Sequence, residues 1–433
     1  MTVTDTRESP AAETVQGNAL SRRGVMGVLA GLGIGSGVMH RALAAAVQEK
    51  GTVTPEMIQQ AEWIAGLELT EEERDETARA IRRSLVQFES LRNVEVGYDV
   101  PPAISFSTSL SYRDSGRHSS GPVRRNQARP LETAAPKRPA DEETLAFLPV
   151  TELGALLRTG QVSSLELTRL YLARLKKYNP LLNCVVTLTE EVAIEQAKRA
   201  DQEIAAGRYR GPLHGVPWGA KDLIAWPGYP TTWGAPHFKE QVIDEKATVA
   251  RRLEEAGAVL VAKLSLGALA MGDRWFNGRT NNPWDPRQGS SGSSAGSASA
   301  TAAGLVGFTI GSETLGSIVS PCRRCGASGL RPTFGRVSRH GCMALSWTMD
   351  KLGPITRSIE DCALILDAIY GSDGLDPTVV DQPFQWPPAR PLSSLRVGYT
   401  ETGEAVDKRR DLNVLRELGV ELVPIKLPDS MPA

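Results

Sequence analysis

From about Leu145 onward, the sequence predicts an α/β fold in which helices pack on a largely parallel sheet. Two observations carry this. Short runs rich in Val and Leu, such as "NCVVTLT" and "AVLVAKL", alternate with segments whose apolar residues recur at helical spacing. The composition, 41% hydrophobic and 23% charged over 433 residues, is that of a soluble chain able to build a sizeable core. A net charge of −1 supplies no basic field, which argues against nucleic acid as a partner.

The elements follow in order. "SRRGVMGVLAGLGIGSGVMHRALAAA" joins the pair Arg22 and Arg23 to an apolar, small-residue run from Gly24 to Val38 and closes on Ala42, Ala44, Ala45 and Ala46. This pattern predicts a twin-arginine-type signal over residues 1–46 and an exported, periplasmic or extracellular protein. The run is too short to span a bilayer, so no stable membrane insertion is expected after cleavage. Residues 47–103 predict a small helical appendage: Thr54 with Pro55 starts one helix, and Thr70 with Glu73 forms the capping box of another. Residues 104–144, rich in Ser, Pro and Arg, predict a flexible linker or lid-like wrap.

The main domain is assigned to 145–433. "LGALLRTGQVSSLELTRLYLARLKKYNP" has apolar residues at helical spacing, "NCVVTLT" reads as a strand and "EEVAIEQAKRADQEIAAG" as a helix. "KATVARRLEEAG" and "AVLVAKL" repeat the helix-then-strand order. "RVGYT", "LNVLRELGV" and "ELVPIKL" give strand, helix and strand near the end. The sequence stops at "PDSMPA", directly after a strand whose neighbours are expected to continue the sheet.

Five cysteines do not make a disulfide scaffold in a chain this long. Cys322 and Cys325 form a C-x-x-C followed at some distance by Cys342, but no second pair completes a zinc site. Buried small residues, or a local disulfide after export, are the expected readings.

Three segments concentrate polar residues in apolar or glycine-rich settings. Lys221, in "VPWGAKDLIAW", is either half of a surface pair with Asp222 or a desolvated lysine whose lowered pKa makes it a general base. The stretch from Gly289 to Gly304 runs into "LVGFTIG" and so reads as a packed helix leading to a strand rather than a linker. Within it, Gly292-Ser293-Ser294-Ala295-Gly296 matches G-x-S-x-G, which offers Ser294 as an elbow nucleophile with Glu313 and His340 as candidate partners. The match is weak, because loop and not strand precedes it. In "IGSETLGSIVSP", the backbone before Ser317 can present several N–H groups to one point, as an oxyanion hole requires. A neutral lysine could take the proton of such a serine, with a second serine as relay.

Together, "GPLHGVPWGAKDL", "SGSSAGS" and "GSETLGSIVSP" resemble the motifs of the amidase signature family. "NPWDP", "GLRPTFGRVSR" and "DKLGPITRSIEDCALILDAI" are similar to that family's flanking stretches, and the likeness covers roughly residues 145 to 427. The resemblance implies an α/β/α sandwich with a large mixed sheet, and hydrolysis of a carboxamide through an acyl-serine intermediate without metal or cofactor. It implies Lys221 as base, Ser293 as relay serine in a cis peptide and Ser317 as nucleophile. It also implies an oxyanion hole from the amides of Thr314, Leu315, Gly316 and Ser317, and Ser294 as a substrate contact. The expected partner is a small-molecule amide, and a homodimer is left open. Leu315 stands where the family has glycine, Val319 where it has arginine, and Ser291 and Ala295 where it has glycines. Family members continue beyond the point where this sequence stops, so it reads as truncated. The alternatives are a glutaminase resembling the A component of the amidotransferase complex, and an inactive remnant that only binds.

Overall fold

The computed structural model describes residues 52–94, 128–131, 136–400 and 406–426. The predicted signal over 1–46 and most of the predicted linker lie outside these residues. The chain divides into two compact units, one containing the described N-terminal residues and the other Pro102–Tyr399 with Gly403–Val423.

In the first unit, α1 (Pro55–Ala65) is capped by Thr54, whose side chain accepts from the Met57 amide, and ends at Gly66 in the left-handed region. Helix α2 (Glu71–Arg92) carries the predicted capping box in full, with Thr70 and Glu73 bonding reciprocally. Val53, Ile58 and Ala78 form the small core between them.

The second unit opens with α3 (Glu142–Phe147), capped by Asp141, so helix begins inside the stretch predicted as linker. A short described stretch farther back is also held: the Ala128 amide donates to Asp367 Oδ2 at 2.8 Å. The stretch with apolar residues at helical spacing forms two helices, α4 (Val150–Arg158) and α5 (Ser164–Leu182). The break has a local cause, since Gly160 takes φ +69 and Ser163 caps the second helix by accepting from the Glu166 amide.

The order continues β1 (Val185–Leu188), α6 (Glu190–Ala205), β2 (Pro217–Lys221), α7 (Thr248–Glu255) and β3 (Val259–Leu264). After a small hairpin of β4 (Arg274–Trp275) and β5 (Gly278–Arg279) come α8 (Ala295–Ala302), β6 (Phe308–Glu313) and α9 (Val319–Cys325). The unit ends with β7 (Ser328–Gly329), β8 (Lys351–Thr356), α10 (Ile359–Ile369), β9 (Arg396–Tyr399), α11 (Arg410–Glu417) and β10 (Glu421–Pro424).

Six strands form one sheet in the order β1-β3-β2-β6-β8-β7. The expectation of a largely parallel sheet is corrected here. Strands β3, β2 and β6 run parallel in the middle, whereas β1, β8 and β7 pair antiparallel. Hydrophobic periodicity reports which residues are buried and carries no information on strand direction. The mixed sheet has helices on both faces. Along β3, Leu260 joins the core that includes Leu156, Leu253 and Ile365, and Val259 and Val261 join the core that includes Leu172, Ala197 and Ala300. The predicted strands near the end, β9 and β10, pair with each other in a separate two-stranded sheet.

Candidate active site

The three parallel strands deliver the site at their carboxyl ends, where α/β folds place ligands. Lys221 is the last residue of β2, a strand buried along its whole length. Its side chain is fully buried, and the surface-pair reading is overturned. Successive strand residues face opposite ways. Asp222 turns instead to Lys263 of β3, forming a buried ion pair at 2.8 Å. Asp222 also accepts from the Thr232 amide at 2.9 Å.

Lys221 Nζ sits inside a cage of hydroxyls. It lies 2.8 Å from Ser293 Oγ, 3.1 Å from Ser294 Oγ and 2.9 Å from Ser312 Oγ, with the Ser312 carbonyl at 3.3 Å. Gly311 makes room for this cage, because a Cβ there would stand 2.8 Å from Ser294 Oγ. Burial disfavours the ammonium and brings the lysine down to about 7, opposed by the negative charges of Asp350 and Glu313. A lysine so placed is half deprotonated near neutral pH.

Ser293 precedes α8 and is buried, and its peptide bond with Gly292 is cis. The loop is pinned where the Ser291 amide donates to Asp273 Oδ2 at 3.0 Å and where the Gly267 amide donates to the Ser293 carbonyl at 3.3 Å. Ser294 is also buried, and its hydroxyl donates to the Ser312 carbonyl at 3.0 Å while accepting from the Ser312 amide. That placement makes Ser294 a wall of the lysine cage, with its proton already committed, rather than a free substrate donor. The elbow reading fails as well. No strand leads into Ser294, and His340 is engaged with Glu245 at 2.9 Å.

Ser317 lies in the turn between β6 and α9, half-buried. The Ser294 amide donates to the Ser317 carbonyl at 3.1 Å, which ties the loop of Ser293 to the turn of Ser317. Glu313 shapes the turn from within. Its buried carboxylate accepts from the amides of Ile318 at 2.7 Å and Val319 at 3.0 Å, and from Arg331 at 3.2 Å. Burial pushes this carboxyl up, but the amides of Val319, Ile318 and Gly316 and the Arg331 guanidinium outweigh it and leave it below its ordinary value. Among the described residues, the Thr314, Leu315 and Ser317 amides have no protein acceptor. Gly316 takes φ +91, a conformation glycine adopts freely. Leu315 keeps a negative φ and turns its side chain outward, 69% exposed, so replacing the family's glycine there does not strain the turn.

Sequence reasoning missed Ser312, Asp350 and Lys351. Ser312 could have been noticed as a polar residue at the end of an apolar strand; the other two reach the site only through the pairing of β6 with β8. Cys322 and Cys325 are free and buried, as small core residues, and pack with Ile318 and Ile355.

The family model for Amidase matches residues 166–432. The A component of the glutamyl-tRNA(Gln) amidotransferase of Chloroflexus aurantiacus is 40% identical over 300 residues, covering 66% of this chain and 62% of the relative. A putative amidase AmiD of Mycobacterium bovis is 42% identical over 253 residues, covering 58% and 53%. Among solved structures, the native peptide amidase from Stenotrophomonas maltophilia superposes with a TM-score of 0.57 at 34% identity, covering 65% of this chain and 62% of the other. The chain thus spans less than two thirds of the length of these relatives. With the family model matched over more than half of its residues and the sheet, lysine cage and serine loops in place, the chain belongs to the amidase family.

Proposed function

We propose that the protein hydrolyses a carboxamide C–N bond with Ser317 as nucleophile, Ser293 as relay and Lys221 as base. The observation that carries this reading is the buried Lys221 Nζ at 2.8 Å from Ser293 Oγ, where burial brings the lysine down to about 7. Burial thus favours the neutral amine beside the hydroxyl that must lose a proton.

In the first step Ser317 Oγ bonds to the amide carbon, its proton passes to Ser293 Oγ, and the Ser293 proton passes to Lys221 Nζ. The carbonyl oxygen becomes an oxyanion facing the free amides of the Thr314–Ser317 turn. The proton then returns through Ser293 to the leaving nitrogen, the C–N bond breaks, and ammonia or an amine departs, leaving an ester on Ser317. Water attacks that ester with its proton taken through the same relay, and the carboxylic acid is released. Lysine and serine hydroxyl suffice for each transfer because the burial that lowers the lysine brings its proton affinity close to the working pH.

A second reading is supported by the 40% identity to the amidotransferase component: glutamine would be the amide, and the ammonia would pass to a further partner. Release of ammonia from a panel of carboxamides, glutamine included, tests both. The amidase reading predicts turnover by the isolated chain that is abolished in Ser317→Ala. Turnover of glutamine alone, raised by co-purified partner proteins, would favour the second reading. Full retention of activity in Ser317→Ala would sink both.

A further inference from the structure

We infer that Asp350 and Lys351 form a clamp that aims and polarises the Leu315 amide; the inference rests on the reading of Ser317 as nucleophile. The β6–β8 ladder runs from Thr309 opposite Ile355 to Glu313 opposite Lys351, where strand pairing stops. One residue later a side chain takes over. Lys351 Nζ donates to the Thr314 carbonyl at 2.8 Å. The Thr314 hydroxyl donates to the Asp350 carboxylate. That carboxylate is held in turn by the amides of Leu345 at 2.6 Å and Ser346 at 3.2 Å. The hydroxyl and the carbonyl of Thr314 are therefore both fixed from one dipeptide at the start of β8.

The consequence follows from peptide geometry. The Thr314 carbonyl and the Leu315 N–H belong to one planar trans unit and point in opposite directions. Holding the carbonyl on Lys351 sets the direction of the Leu315 N–H, one of the amides in the turn without a protein acceptor among the described residues. A cationic donor on the carbonyl also draws electron density from the amide and makes its N–H a stronger donor. Lys351 touches no reacting atom in this scheme. It is a positioning residue, acting through the peptide it holds.

The test is the second-order rate at which a fluorophosphonate modifies Ser317, since the phosphonyl oxygen must enter the same hole. Lys351→Met is expected to react about tenfold to a hundredfold more slowly, somewhat less than the loss on deleting an oxyanion donor outright. Lys351→Arg, which keeps a cation on the carbonyl, is expected to recover most of the rate; a purely structural loss would not be rescued in this way. If Lys351→Met does not fold, Lys351→Gln replaces it, with a rate expected between those of the wild type and Lys351→Met. Wild-type rates in folded Lys351→Met, or no rescue by arginine, would overturn the clamp while leaving the amidase reading intact. A wild-type protein that never labels at Ser317 would instead remove that reading, and the clamp with it.

Discussion

Replacing Lys221 with methionine should change how stability depends on pH, and this can be predicted without knowing the substrate. The lysine falls from an ordinary 10.5 to about 7 because it is buried. Between those values the unfolded chain binds a proton that the folded protein does not, so wild-type stability rises with pH across that window. The linkage penalty comes to about 5 kcal/mol at pH 6 and about 2 kcal/mol at pH 9, so the wild type should gain about 3 kcal/mol on the variant over that range. Below pH 7 both states of the wild type are protonated and the two proteins should run parallel. Urea unfolding of wild type and Lys221→Met at several pH values from 6 to 9 reads the difference directly. Parallel curves over the whole range would show that Lys221 stays charged in the fold, and the argument for a neutral base would collapse.

Two further outcomes follow from buried groups elsewhere. Lys263→Met leaves the Asp222 carboxylate buried without its cation and should cost about 3–5 kcal/mol in urea unfolding, with Lys263→Met/Asp222→Leu recovering part of it. Burial pushes the Cys325 thiol up to about 12 and raises Cys322 as well, so iodoacetamide at pH 8 should modify neither until the protein unfolds; rapid stoichiometric modification of the folded protein would contradict their placement.

Much of this site was legible because its chemistry is concentrated in short motifs. The capping box at Thr70 and Glu73, the helix after Ser294 and the strand over 259–264 each follow from a local pattern, and each is present. Strand β2 was harder, since Pro217, Trp218 and Gly219 give no β-branched alternation, and its identity comes from pairing with β3 and β6. The antiparallel flanks of the sheet, and with them the approach of Asp350 and Lys351 to Thr314, depend on contacts between residues far apart in sequence. No local spacing encodes these. The surface-pair reading of Lys221 and Asp222 failed for the same reason, because the true partner of Asp222 lies on the neighbouring strand.

If Ser317 is activated by Lys221 and Ser293, a fluorophosphonate should mark it, and intact-mass and peptide mapping of the adduct shows where the label lands. One adduct is expected, on Ser317, formed far more slowly in Lys221→Ala and Ser293→Ala. An adduct on Ser294, or none on a folded sample, would contradict it.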